Sequence, residues 1–292
     1  LIIDSYIMRG GRVLFLIDGV ALDDSMQASA FDSPLSDLLT HYGIRVLPQL
    51  VLDQINITAS FQSGMYDIML PYPFWVRVVR DMSESRHPIS STIESMVMPW
   101  ASPLVVDDSP MKVAILAQSS DESWVQQDTF DLNPQQDFSL RRNDPGRKIL
   151  AVAVSGEFTS MFAGRDTIPL LNDAEGHTFS PDIPTQSPDT RIIVVGSSRC
   201  FTDDFTAEFE GNRTFFLNAV DWLTIGDELI GIRSREAGER PLKLLDERTK
   251  LIVRIVNMLA VPLLVVIFGF IYIGLRRRNR RSRARAITGD HQ

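Results

Sequence analysis

The chain has 292 residues, 44% of them hydrophobic, a formal net charge of −8 and a single cysteine, Cys200. One cysteine excludes an intrachain disulfide, so the protein is not a small disulfide-stapled scaffold. Residues 251–292 contribute +7, from eight arginines and the single acid Asp290, which leaves −15 for residues 1–250. An acidic segment of this kind is not a nucleic-acid binder, because such proteins need clustered positive charge.

The first predicted elements alternate between helix and strand. Gly10 and Gly11 end an opening helix, and Ser33 is a typical residue at the start of the next one. Between them, the apolar run RVLFLI predicts a strand that is buried on both faces. Helix, strand, helix and strand are therefore predicted in this order over residues 1–8, 12–17, 35–41 and 44–47.

The same kinds of element return later in the chain. Three strands and one amphipathic helix are predicted over residues 112–117, 149–154, 191–195 and 212–223. Four polar or proline-rich stretches are predicted to be surface loops on which a partner docks, over residues 53–64, 87–109, 119–145 and 172–190. Strands alternating with helices predict a three-layer α/β domain around a mostly parallel sheet. That domain is expected to span residues 1–232, followed by a charged stalk over residues 233–250.

Residues 251–275 predict one carboxy-terminal transmembrane helix. Its last 21 residues carry no charge, and a helix of that length spans roughly 30 Å, the thickness of a bilayer core. Arg254 lies near the other end, where its side chain can reach the headgroups. Seven arginines follow the span: Arg276, Arg277, Arg278, Arg280, Arg281, Arg283 and Arg285.

These arginines predict the orientation of the helix in the membrane. Lys and Arg next to a span stay on the cytoplasmic side, so residues 276–292 are expected to form a basic cytoplasmic tail. Residues 1–250 are then extracytoplasmic, at the cytoplasmic (inner) membrane of a bacterium. The opening LIIDSYIMRGG has no export signal, so we expect the chain to be the carboxy-terminal portion of a longer protein. A tail-anchored protein with a cytosolic head is the alternative, but it would carry seven arginines across the bilayer.

No strong catalytic, cofactor or metal motif is present in the sequence. A phosphate-binding loop follows a strand and opens a helix, whereas Gly10-Gly11 precedes a strand. The four histidines have no close partners at ligand spacing, and one cysteine does not make a structural zinc site. We therefore predict no catalytic residue, no cofactor and no metal site.

Two groups of residues are candidates for contact with a ligand or partner. Asp18 and Ser197 follow predicted strands, and the carboxyl ends of strands line the ligand crevice of open sheets; Ser198 shares this position. Cys200 follows the same strand. It is interpreted either as a nucleophile or as a small buried apolar residue. An aromatic cluster, Tyr72, Phe74 and Trp75, is either an exposed docking patch or part of the core.

Four segments then resemble one known family. They are IIDSYIMRGGRVLFLIDGV, LSDLLTHYGIRVLPQLVLD, RIIVVGSSRCFTDDF and GNRTFFLNAVDWLTIGDELIGIRSR. Together with the span and the arginines, they are similar to the carboxy-terminal half of GldG-like, gliding-motility-associated auxiliary components of ABC-type transport systems. This chain has Ser197 where the family usually has Asp.

The resemblance implies a flavodoxin-like or class I glutamine amidotransferase-like fold, and it implies a function. The expected protein is a non-catalytic, membrane-anchored subunit that works with an ABC-type permease and a separate ATPase in the lipid bilayer. Its external domain would bind a substrate or an envelope partner. One alternative is an exported amidotransferase-like or hydrolase-like enzyme that uses Cys200. Another is a membrane-tethered adaptor that works without a transporter.

Overall fold

The computed structural model describes residues 1–225, apart from 24–25, 64–65, 84–86, 108–110, 139–141, 165–170, 173–177 and 180–182. All the described residues belong to one compact unit. Among them, no helix has the length and apolar character needed to cross a membrane. The predicted stalk, transmembrane helix and basic tail lie outside the described residues, as do Arg254 and the seven tail arginines.

Strands outnumber helices in the described part of the chain. The α-helices are α1 (Ile2–Met8), α2 (Ser36–His41), α3 (Asp203–Glu208) and α4 (Glu210–Thr224). The strands are β1 (Val13–Leu16), β2 (Val20–Leu22), β3 (Ala28–Ala30), β4 (Ile44–Val46), β5 (Leu50–Leu52), β6 (Asn56–Ser63), β7 (Tyr66–Val79), β8 (Ser95–Pro99), β9 (Leu104–Val106), β10 (Lys112–Gln118), β11 (Trp124–Gln126), β12 (Ile149–Gly156), β13 (Leu171–Asn172), β14 (Thr178–Phe179) and β15 (Thr190–Val195). Short 3-10 helices cover Arg80–Met82 and Arg199–Phe201. The eight predicted helices and strands are confirmed, with ends that differ by no more than two residues.

A six-stranded sheet in the order β1-β15-β12-β9-β4, with β10 also paired to β12, forms the centre of the fold. Its described strands include one parallel pair, β1 with β15, and every other pair is antiparallel. The prediction of a three-layer, mostly parallel, flavodoxin-like or amidotransferase-like α/β fold is therefore wrong. The fold is rich in strands, with mixed and antiparallel sheets. A continuous apolar run such as that of β12 indicates burial on both faces, but it does not indicate strand direction.

Helices cover both faces of the central sheet. On one face, Ala153 of β12 shares a buried cluster with Phe215 and Trp222 of α4. On the other face, Val152 shares a cluster with Leu39 of α2 and with residues of α1. Successive residues of a strand point to opposite faces, which explains why β12 is apolar at every position in its buried centre.

A second group of strands surrounds an aromatic core. Strands β6, β7 and β8 form an antiparallel sheet, and β5 pairs with β11. All four stretches predicted to be loops thus contain strands: β6 in 53–64, β8 and β9 in 87–109, β11 in 119–145 and β14 in 172–190. Pro73 lies in the register shift of β7 opposite Asn56 and Ile57, where a strand tolerates the missing N–H of proline.

Asn212 joins α4 to this second group of strands. Its side chain is fully buried. Its Oδ1 accepts the N–H of Val97 at 2.8 Å, and its Nδ2 donates to the carbonyl of Val97 at 2.7 Å. The same Nδ2 donates to the carbonyl of Cys200 at 2.7 Å. One amide therefore satisfies three main-chain groups that are buried away from water.

Two arginines hold the carboxy-terminal end of α4 against the central sheet. The Nη1 of Arg12, just before β1, donates to the carbonyls of Leu223 at 2.6 Å and Thr224 at 3.0 Å. The Nη1 of Arg191, in β15, donates to the carbonyl of Trp222 at 3.2 Å. Its guanidinium carbon also lies 5.1 Å from the centre of the Trp222 ring. The last carbonyls of a helix have no partner within the helix and attract cations, so both arginines stabilise this end.

Candidate functional site

The carboxyl ends of the two parallel strands, β1 and β15, bring Asp18 and Ser198 together. Leu16 pairs with Val195 at the end of both strands, and each chain then turns. The N–H of Ser198 donates to Oδ1 of Asp18 at 2.7 Å, and its hydroxyl donates to Oδ2 of the same carboxylate. The prediction that Asp18 and the residues after β15 meet at one edge of the sheet is confirmed.

The segment between β8 and β9, residues 100–103, crosses these strand ends. The N–H of Ser102 donates to the carbonyl of Gly196 at 2.6 Å. The N–H of Gly19 donates to Oγ of Ser102 at 2.9 Å. A Cβ atom on Gly196 would lie 2.1 Å from the carbonyl oxygen of Ser102, and one on Gly19 would lie 2.1 Å from that of Leu47. Glycine is therefore required at both places for these close approaches. The inner part of the crevice is therefore filled by the protein itself.

Ser197 belongs to this filled part of the crevice. Its side chain is completely buried, and its hydroxyl donates to the carbonyl of Pro99 at 2.7 Å. In this position the side chain joins two main-chain segments and does not reach a cavity.

An open cavity of about 300 Å³ remains outside the filled part. Pockets that hold small ligands start near roughly this volume. Charged, hydroxyl and apolar side chains form its wall: Asp18, Ala21, Leu22, Phe31, Pro99, Trp100, Ser198, Arg199 and Thr202.

Arg199 and Trp100 form one side of this cavity. The guanidinium carbon of Arg199 lies 5.5 Å from the centre of the Trp100 ring, within the range of a cation–π contact. Nη2 of Arg199 also donates to the carbonyl of Leu22 at 3.3 Å. These contacts hold the guanidinium over the indole at the cavity wall.

The backbone of Trp100 is in an unusual conformation. Its φ angle is +46°, a region that bulky side chains rarely adopt. The N–H of Trp100 donates to the carbonyl of Phe74 at 2.8 Å, which helps to hold this conformation. Strained residues of this kind concentrate where a protein positions a ligand.

Cys200 follows Arg199 in the chain but does not line the cavity. Its side chain is fully buried, and its thiol donates to the carbonyl of Ser197 at 3.1 Å. Burial raises the pKa of the Cys200 thiol well above its ordinary value. A nucleophilic cysteine needs the opposite shift and access to its substrate. The geometry is that of a small buried residue.

The aromatic cluster lies in the core of the second group of strands. Tyr72 and Phe74 are fully buried, and Trp75 is partly buried. The hydroxyl of Tyr72 donates to the carbonyl of Leu132 at 3.0 Å. Core packing, the alternative to a docking patch, thus describes Tyr72 and Phe74. Trp75 packs edge-on against Trp100 at 5.5 Å between ring centres, and so supports the wall of the cavity.

Two other buried carboxylates have structural partners. Asp4 accepts hydrogen bonds from the hydroxyls of Tyr42 and Ser160, each at 2.7 Å. Asp53 accepts the N–H and hydroxyl of Ser120, each at 2.6 Å. Within the residues that the structure describes, no three His, Cys, Asp or Glu side chains come together as a metal site.

The sequence did not single out Arg199, Trp100 or Phe31. The sequence did contain a signal for Arg199, because this residue lies three positions after Gly196, the glycine that follows β15. Trp100 and Phe31 carried no such signal, since their positions depend on how segments distant in sequence cross the sheet edge.

Comparison with known proteins finds a distant relative and a solved structure that matches part of this chain. A Borreliella burgdorferi protein, itself described as uncharacterized, is 22% identical over 287 residues, which cover 94% of this chain and 53% of the relative. The chain thus spans about half the length of that relative. A solved structure, the mmIFT52 N-terminal domain, is 18% identical with a TM-score of 0.41, covering 77% of this chain and 70% of the other.

The family described as an ABC-type uncharacterized transport system matches residues 1–219. This match includes every described element up to the middle of α4, and with it both sides of the cavity. The chain therefore belongs to this family of auxiliary components of ABC-type transport systems.

Proposed function

We propose that this chain is a non-catalytic, membrane-anchored auxiliary subunit of an ABC-type transporter of the GldG-like, gliding-motility-associated type. A separate permease and a separate ATPase supply the channel and the energy. The external domain binds a substrate or an envelope partner. Membership of the auxiliary family is the observation that carries this proposal, and the four GldG-like segments support the finer assignment.

The proposal also includes the membrane location. Residues 251–275 anchor the subunit in the bacterial inner membrane, and the arginines that follow keep residues 276–292 in the cytoplasm. Residues 1–250 are then extracytoplasmic. Protease added to intact spheroplasts should therefore digest residues 1–250. Survival of this part until the cells are lysed would contradict the proposed orientation.

The buried thiol supports the non-catalytic role. The enzymatic alternative requires Cys200 as a nucleophile, but this side chain is fully buried, and burial raises its pKa. A segment of the protein itself fills the crevice beside it, through the contacts of Ser102 with Gly19 and Gly196. An acyl group would have no path to the sulfur without opening of this packed edge.

Co-purification tests the proposed function. The full-length protein, extracted from its native membrane in mild detergent, should bring down a permease and an ATPase. The Cys200→Ser variant should do so equally, because the thiol has no catalytic part. Recovery of the protein alone, under conditions that preserve other ABC complexes from the same membranes, would contradict the proposal and favour an adaptor without a transporter.

A further inference from the structure

The cavity beside Asp18 is lined by two opposite charges that do not pair with each other. Asp18 and Arg199 both lie in its wall. Within the described part of the chain, neither of them takes part in an ion pair of 4.0 Å or less. Each charge is held by other groups: Asp18 by Ser198, and Arg199 by Trp100 and the carbonyl of Leu22. Both charged groups therefore line the cavity without neutralising each other.

Arg199 is arranged to bind a carboxylate. A guanidinium group has several N–H donors in one plane. Within the described residues, that of Arg199 donates one hydrogen bond, to the carbonyl of Leu22. The contact with the Trp100 ring and the bond to Leu22 restrict the movement of this group. A guanidinium that is held in place can make a bidentate contact with a carboxylate.

Asp18 is arranged to bind a cation. A carboxylate has about four acceptor positions, and Ser198 occupies one on each oxygen. The remaining positions accept N–H donors of a ligand. An ordinary anion would be attracted by Arg199 but repelled by Asp18, and a simple cation would meet the reverse, so the pair of charges selects against both.

Apolar side chains form much of the remaining wall and confine the size of the ligand. Leu22, Phe31 and the ring of Trp100 face the same cavity. Phe31 is 44% exposed, although it is a large apolar side chain. A volume of about 300 Å³ is at the lower limit for ligand pockets, which leaves room for a molecule with one small apolar group.

We propose that this cavity binds a small zwitterion with an apolar side group, of the chemical class of a free aliphatic α-amino acid. Arg199 binds its carboxylate, Asp18 binds its ammonium group, and Phe31 and Leu22 contact its side chain. The strained backbone of Trp100 fixes the indole on which Arg199 lies. This inference rests on the proposed function, because it names the ligand class of the external domain.

Calorimetric titration of the full chain in detergent with L-leucine tests the inference. Leucine should bind saturably. 4-Methylpentanoate and 3-methylbutylamine, which are leucine without its ammonium group and without its carboxylate, should bind at least about tenfold more weakly, because one charge-assisted contact is missing. Arg199→Gln should weaken leucine binding by at least about tenfold, and Arg199→Lys by less, because the charge remains. Arg213→Gln, an exposed arginine of α4 outside the cavity wall, is the matched control and should bind as the wild type does.

Three results would overturn the inference: no saturable binding of leucine, binding of leucine by Arg199→Gln equal to that of the wild type, or binding of 4-methylpentanoate or 3-methylbutylamine equal to that of leucine. Thermal unfolding of each variant shows whether a loss of binding reflects a loss of fold. If Arg199→Gln is unfolded, leucine binding by Arg199→Lys is compared with that of the wild type instead. Co-purification with the permease separates this inference from the proposed function. If the partners are recovered but leucine does not bind, only the inference fails; if leucine binds but the partners are absent, only the transporter role fails.

Discussion

Removing the side-chain amide of Asn212 gives the sharpest test of how α4 is held. In Asn212→Ala the N–H of Val97 and the carbonyls of Val97 and Cys200 all lose a hydrogen-bond partner. Asn212 is fully buried, so these groups do not regain water without local opening. Each unsatisfied buried group costs about 1–3 kcal/mol. We expect the variant to lose roughly 3–5 kcal/mol of unfolding free energy, less than the full sum because some water enters.

Asn218, on the same helix, is the matched control. Its Nδ2 donates to the carbonyl of Ile89 at 3.0 Å and to the hydroxyl of Thr92 at 3.1 Å, but its surroundings are only partly buried. Water can replace these bonds, so Asn218→Ala should cost about 1 kcal/mol. Urea unfolding of the full chain, followed by tryptophan fluorescence, measures both values. Equal losses in the two variants would refute the reasoning that the three buried main-chain groups depend on Asn212.

Two further predictions concern titratable groups. Iodoacetamide should alkylate native Cys200 at least about 100-fold more slowly than the urea-unfolded chain, because the thiol is buried and its pKa is raised; equal rates would contradict this burial. Burial also raises the pKa of Asp53 above 3.8, against the lowering effect of hydrogen bonds from Ser120 and Ile55. A carboxyl group with a higher pKa in the folded state binds more protons when folded, so its contribution to stability falls as pH rises from about 3.8 through the folded pKa. Asp53→Asn should remove that fall, and the free energy of unfolding should then depend less on pH in this range. Parallel pH profiles for the variant and the wild type would contradict the direction of the shift.

Five of the six strands of the central sheet could be predicted, all except β9, but their directions could not. The runs ILAVAV, over residues 149–154, and IIVV, over residues 192–195, are apolar without interruption, which is a strong local signal for burial on both faces. The same signal is compatible with parallel and antiparallel neighbours. Direction depends on what connects the strands, and here strands β5 to β8 lie where helices would be needed for a parallel arrangement.

Strand β6 has the alternating pattern of a strand, although its many polar residues led to the prediction of a loop. Ala59 is buried and Ile57 and Phe61 are partly buried, whereas Thr58 and Ser60 between them are exposed. This alternation is typical of a strand with one face against the core, but the polar residues suggested a loop.

The candidate site was predicted only where it depends on strand ends. Asp18 and Ser198 meet because β1 and β15 are parallel neighbours, and residues that follow such strands lie at one edge. Arg199 follows from the same geometry once the turn after Gly196 is known. The contribution of Trp100 depends on a segment that reaches the edge from another sheet, and local sequence patterns contain no information on such crossings.

The two arginines at the end of α4 have a mechanical consequence. Arg12 precedes β1 and Arg191 lies near the start of β15, so tension on the chain after Ile225 enters the same two strands whose far ends carry Asp18 and Arg199. Asp18 lies six positions after Arg12, roughly 20 Å away along an extended strand. A pull on the end of α4 would therefore reach the cavity through the hydrogen bonds of Arg12 and Arg191 and along strands β1 and β15.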